Sequence, residues 1–190
     1  IVSVECFNLT TKAFEILQNE ECRFSYRNSI FKSKNYIIIK VNFLFDKNFQ
    51  PNTSYSVLDN YLVTNSIDQS SLTPRVLSES IKKIRNSKLP DPKSEPNVGS
   101  IFKNPMLKTE DLNEDFLINH RWNDNNGMTK VSAARLIELI QSDLNIPDTL
   151  RLYEKHSLVL VNNGGATFNE VINLLTDLQN KILNQFNIQL

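Results

Sequence analysis

Gly99-Ser100-Ile101-Phe102-Lys103-Asn104-Pro105 places a small hydroxyl after a glycine, then two bulky apolar residues, a lysine, an asparagine and a closing proline. Gly99 to Lys103 is expected to form a short strand. Just upstream, Lys88-Leu89-Pro90-Asp91-Pro92-Lys93 and then Pro96 cannot continue a helix, and each ring disfavours α geometry in the residue before it. A domain boundary is expected there, with 1–90 on one side and 97–190 on the other. Read with Tyr26-Arg27-Asn28-Ser29-Ile30-Phe31-Lys32, the stretch describes a site for an anionic small molecule that needs one well-placed proton donor.

To the left the chain reads as sheet. Ile1 to Asn8 alternates like a half-buried strand, and Lys12 to Leu17 is expected to pair with it across Asn8 to Thr11. Asn19 before Glu20 and Glu21 predicts a short helix delivering Phe24, Tyr26 and Arg27 at its end. Tyr36 to Phe45 is β-branched and aromatic, the strongest strand signal of the chain. Asn48 to Ser56 is a polar loop carrying Tyr55. Leu77, Ile81 and Ile84 then recur at helical spacing in a helix over about 73–87, with Pro74 tolerated in its first turn.

To the right the pattern is mixed. A helix is expected over Thr109 to Asn119, a turn-rich loop over Asn123 to Gly127, and a helix capped by Thr129 whose stripe is Ala133, Leu136, Ile137, Ile140 and Leu144. Ser157 to Asn162 is a buried strand and Asn163-Gly164-Gly165 a turn. Thr167 with Glu170 forms a capping box opening a long helix striped by Phe168, Val171, Ile172, Leu175, Leu178 and Ile182. Phe186 to Leu190 is expected to begin a further strand. The class is α+β.

Composition excludes more than it assigns. A chain of 190 residues, 40% hydrophobic, can bury a core. Lys plus Arg and Asp plus Glu each total 21, so no net field draws it to nucleic acid or an anionic membrane. Lys82, Lys83, Arg85 and Lys88 read first as a solvated helix face. Cys6 and Cys22 match no metal or redox spacing, which points to a reducing compartment and no metal. No apolar run reaches transmembrane length. Ile1 is not Met and falls inside a strand, so the chain is expected to be a piece of a longer one.

The segments Glu21 to Lys32, Lys88 to Lys93 and Val98 to Pro105, with the 157–162 strand and the long helix after it, resemble the UDP-N-acetylenolpyruvoylglucosamine reductase (MurB) family in order and spacing. The resemblance implies reduction of the enolpyruvyl ether of UDP-N-acetylglucosamine to UDP-N-acetylmuramate in peptidoglycan synthesis. It implies FAD and NADPH as cofactors, a bacterial cytoplasmic location and a monomer when complete. Residues 1–90 are then the second half of a PCMH-type FAD-binding domain, and 97–190 the substrate-binding domain. Tyr55 sits in a loop carried by the family's longer subtype.

By resemblance Ser100 is the acid: hydride addition to the vinyl carbon leaves negative charge on the adjacent carbon, and an enolate-like carbanion is basic enough to take a serine proton. Without the family, Ser100 is only a small residue where backbones approach. Arg27 is placed against the substrate carboxylate, where a planar guanidinium offers two parallel donors. Otherwise it is a surface arginine. Tyr26 supports it. Tyr55, Lys88 and Asn104 match positions that hold the diphosphate and uridine of the substrate; without the family Tyr55 is a loop aromatic and Lys88 a solvated residue. Arg85 lies one helical turn before Lys88. The family's glycine-rich FAD loop and its Glu-Pro-Glu tail have no counterpart in these residues. Asp143 to Leu150 replaces a glycine-rich loop, and Asn28 and His156 stand where other polar residues are usual. The competing reading is a truncated, non-catalytic remnant that binds a nucleotide sugar.

Overall fold

A computed structural model describes residues 1–33, 35–112, 115–124 and 126–190, and nothing is stated of the Phe116 side chain. Asn113, Glu114 and Asn125, which fall in the expected 109–119 helix and 123–127 turn, lie outside the described residues. The chain divides into two compact units, Ile1–Asn52 and Thr53–Leu190.

In the first unit, β1 (Ser3–Asn8), β2 (Ala13–Gln18) and β3 (Tyr36–Asn42) form an antiparallel sheet in the order β2-β1-β3. The β1–β2 hairpin closes as the alternation predicts. Asn8 Oδ1 accepts the N–H groups of Thr10 and Thr11 at 2.9 and 3.2 Å, and Lys12 takes a φ of 56°. A bulge between Glu5 and Cys6 shifts the register against β3. Val4, Cys6 and Cys22 are buried, and β3 stops at Asn42 rather than Phe45.

No helix starts at Asn19; the segment is a set of turns. The groups expected to cap a helix are used elsewhere. Asn19 Nδ2 donates to the Ile1 carbonyl at 2.7 Å, Glu21 Oε2 accepts the Gln18 N–H at 2.8 Å, and Arg23 sits at a φ of 49° that no α-helix admits.

The second unit opens with two helices, α1 (Ser56–Thr64) and α2 (Pro74–Lys88), packed through Leu58, Leu62, Leu72, Leu77 and Ile84. Thr73 caps α2, accepting the Val76 N–H at 3.3 Å, and Pro74 takes the first-turn position. Helix α1 was not foreseen.

Two small antiparallel sheets follow. β4 (Asn97–Ser100), β9 (His156–Asn162) and β8 (Leu150–Tyr153) lie in the order β4-β9-β8; β5 (Met106–Lys108), β7 (Met128–Val131) and β6 (Arg121–Asn123) lie in the order β5-β7-β6. Helices α3 (Ala133–Ile140) and α4 (Phe168–Phe186) complete the core, in which Leu136, Ile137 and Ile140 meet Leu158, Leu160, Leu178 and Ile182. β9 has apolar residues on both faces. Its Val159 and Val161 pack instead with Tyr153 and Leu89, and this fixes the end of α2 on the sheet that carries Ser100.

Four local expectations are corrected. The described residues of the expected 109–119 helix fall in two 3₁₀ turns, Thr109–Asp111 and Asp115–His120. Thr129 is fully buried in β7, where its hydroxyl donates to Asn123 Oδ1 at 2.7 Å, and Ser132 caps α3 in its place. Phe168 is 77% exposed and Leu174 fills the core position on α4. Past α4, Asn187 at a φ of 54° ends the helix and Ile188 turns into the core, so 186–190 is not a strand.

Candidate functional site

Ser100 ends β4 opposite Val159, and its side chain is exposed. The strand around it is held from both sides: Asn162 N–H donates to the Pro96 carbonyl at 2.8 Å and Ile101 N–H to the Leu158 carbonyl at 2.9 Å. Between them Gly99 takes a φ of +75°, with nothing within 4 Å of where a Cβ would stand. Glycine is therefore required by backbone angle and not by space. Asn97 Oδ1 accepts the Gly99 N–H at 2.9 Å, an Asx turn that sets the angle at which Ser100 emerges.

A cleft of about 910 Å³ opens where α2, the proline segment and β4 meet. Arg85, Asn86 and Leu89 line it from the end of α2, Asp91 from the linker, and Asn97 and Gly99 from β4. Lys88 and Ser100 adjoin these lining residues in sequence, so the two motifs read separately from the sequence flank one cavity. An arginine and two asparagine amides give that cavity donors for an anionic, hydrogen-bonding ligand. Arg85 was foreseen only as an auxiliary; Asn97 was missed, though an asparagine two residues before a glycine is a legible Asx signal.

Asn104 has a local partner: its Oδ1 accepts the Ala133 N–H of the first turn of α3 at 3.0 Å. Tyr55 immediately precedes α1 and is 65% exposed; its carbonyl accepts the N–H groups of Leu58 and Asp59. Tyr26 and Arg27 belong to the first unit. They form the tip of a tight turn closed by paired backbone bonds between Ser25 and Asn28, at 3.0 and 3.1 Å. Arg27 is exposed and sits at a φ of 51°, a left-handed conformation that a side chain bearing Cβ adopts at a cost. The turn, and not a helix end, is what presents it.

The residues present do not fit the diphosphate of FAD. All four glycines, Gly99, Gly127, Gly164 and Gly165, lie in the second unit, and only Gly164-Gly165 precedes a helix. There the Glu170 carboxylate already occupies the helix start, accepting the Thr167 N–H and hydroxyl at 2.7 and 2.8 Å. Those bonds and one from Thr149 hold its carboxyl below the usual range, so an incoming phosphate would meet a negative charge. Among the described residues no group of three or more His, Cys, Asp or Glu is placed to hold a metal, and no helix is long and apolar enough to cross a membrane.

Residues 91–190 match the model of the UDP-N-acetylenolpyruvoylglucosamine reductase C-terminal domain. The UDP-N-acetylenolpyruvoylglucosamine reductase of Neisseria gonorrhoeae is 35% identical over 197 residues, covering 100% of this chain and 56% of the relative. That of Buchnera aphidicola is 36% identical, covering 98% of this chain and 52% of the relative. The crystal structure of UDP-N-acetylenolpyruvylglucosamine reductase (MurB) from Thermus caldophilus superposes with a TM-score of 0.55 at 21% identity, over 95% of this chain and 49% of that one. The chain thus spans about half the length of the relatives it matches. With its mixed helices and small antiparallel sheets, and with a family domain over more than half its length, the chain belongs to the UDP-N-acetylenolpyruvoylglucosamine reductase family.

Proposed function

We propose that this chain is the substrate-binding part, with half of the FAD-binding domain, of a bacterial cytoplasmic reductase. The complete polypeptide would convert UDP-N-acetylglucosamine enolpyruvate to UDP-N-acetylmuramate for peptidoglycan synthesis, drawing on FAD and NADPH. Residues 1–90 are assigned to the FAD domain and 97–190 to the substrate domain. The observation that carries the reading is the Gly99–Ser100 corner beside the cleft, inside the segment that matches the family domain.

The roles are those that the family resemblance implies for these positions. Ser100 gives its proton to the carbon next to the substrate carboxylate as negative charge builds there, a contribution worth about 10²–10⁴ in rate. Arg27 pairs with that carboxylate, supported by Tyr26. Lys88, with Asn104 and Tyr55, holds the diphosphate and uridine end; a lysine there acts as a compact charge. The test is Ser100→Ala in the complete reductase: reduction of the flavin by NADPH is expected to persist while reduction of the nucleotide sugar stops. Equal loss of both half-reactions would overturn the role of Ser100.

That misfit with FAD favours a second reading for the 190 residues taken alone. They would hold a nucleotide sugar weakly and carry out no redox chemistry. The purified chain is expected to be colourless, and stoichiometric flavin absorbance would refute this reading.

A further inference from the structure

Arg151 is engaged by each of its three guanidinium nitrogens, and neither the motifs nor the cleft accounts for it. It stands on β8. Its Nη2 bonds the Glu95 carboxylate, Nη1 reaches Glu154 Oε2 at 3.2 Å, and Nε donates to Asn163 Oδ1 at 3.1 Å. The guanidinium also lies 5.7 Å from the centre of the Tyr153 ring, which is itself buried with Val159, Val161 and Leu89. All three nitrogens are thus committed, and the ring beneath them is buried. Arg151 and Glu95 are each only about one-third exposed.

Glu95 lies 56 positions away, in the proline segment just before β4. From it a continuous path leads to Ser100. The Glu95 carbonyl accepts from Asn97 Nδ2 at 2.8 Å; Asn97 Oδ1 accepts the Gly99 N–H at 2.9 Å; Gly99 turns the backbone at positive φ into Ser100. Backbone bonds hold this segment locally, Ser94 and Glu95 N–H donating to the Asp91 carbonyl at 3.1 and 2.8 Å, and the Arg151 bond ties its Glu95 side chain to β8.

We propose that the Arg151–Glu95 clamp and the Asn97 amide are positioning elements for Ser100, holding the 95–99 segment so that the hydroxyl meets the reacting carbon. The inference rests on the reading of Ser100 as the acid. A lysine at 151 supplies one charge but cannot span Glu95, Glu154 and Asn163 together.

Two measurements test it. In the full chain, hydrogen exchange at the Gly99 amide is expected to speed up about tenfold in Arg151→Lys and at least as much in Asn97→Ala. In the complete reductase, Arg151→Lys is expected to lower kcat for nucleotide-sugar reduction about tenfold, the scale of a small misplacement. The KM should stay within about twofold and flavin reduction by NADPH should not change. The swap Arg151→Glu with Glu95→Arg should recover part of both losses. Unchanged exchange at Gly99 in both single variants overturns the clamp. Faster exchange with undiminished kcat, where Ser100→Ala abolishes turnover, overturns the positioning role. Should Ser100→Ala itself turn over normally, the reading of the acid is what failed, and this inference falls with it.

Discussion

Arg27 holds a backbone angle that favours glycine over a residue with Cβ. A φ of 51° costs a residue with Cβ about 1–2 kcal/mol that glycine does not incur. Arg27→Gly is therefore expected to fold at least as stably as Arg27→Ala, by up to about 1 kcal/mol in denaturant midpoints, because it relieves the left-handed turn. In the complete enzyme neither variant should turn over. Arg27→Lys should be nearly as impaired as Arg27→Ala, since an ammonium cannot supply the paired donors a carboxylate accepts. If lysine restores most of the activity, the assignment of Arg27 to the carboxylate is wrong.

Helix α4 gives the element-scale case. Its capping box satisfies backbone donors from both directions: Thr167 Oγ1 accepts the Glu170 N–H, and Glu170 accepts the Thr167 N–H. The Thr167 bonds, backbone first, lower the Glu170 carboxyl below its usual value. A depressed carboxyl stabilises the fold above its unfolded value, about 4.3, and that contribution is lost as pH falls through the lower folded value. Comparing thermal midpoints of the wild type and Glu170→Ala should thus give a clear gap at neutral pH that narrows below about pH 4. A gap independent of pH would mean that the side chain acts by packing and not by its charge. This element was legible because the box is local, with both partners three positions apart. The same logic misled at Asn19, whose amide and neighbouring carboxylate found β-strand ends instead of helix donors. β8 was missed because it reads as short mixed sequence and becomes a strand only by pairing with β9. In the candidate site the residue types of the 98–105 motif were legible, whereas the Arg151 clamp was not, its partner being remote along the chain.

At the scale of the whole molecule the two units are unequal. The first buries Val4, Cys6 and Cys22 as its apolar core, and leaves Phe14, Ile16, Ile37, Ile38 and Ile39 exposed on a three-stranded sheet. The second buries a continuous cluster from Leu117 to Ile188 that draws on α3, α4, β8 and β9. At about 25 cal/mol per Å² of apolar surface removed from water, the first unit gains far less to set against the entropy of ordering its chain. A three-stranded sheet so sparsely covered is near the lower limit of independent stability. Native-state hydrogen exchange should therefore find the β1–β3 amides opening at low denaturant, well before those of α3, α4 and β9. The burial of both cysteines supplies a second probe of the same event. Burial raises their thiol values above the ordinary one, so they are unreactive while the sheet is closed. Thiol labelling should track the opening of the first unit and precede loss of the second unit's helical signal. Simultaneous labelling and helix loss would mean that the 190 residues unfold as one cooperative body, and that the weak sheet is sustained by more than its own core.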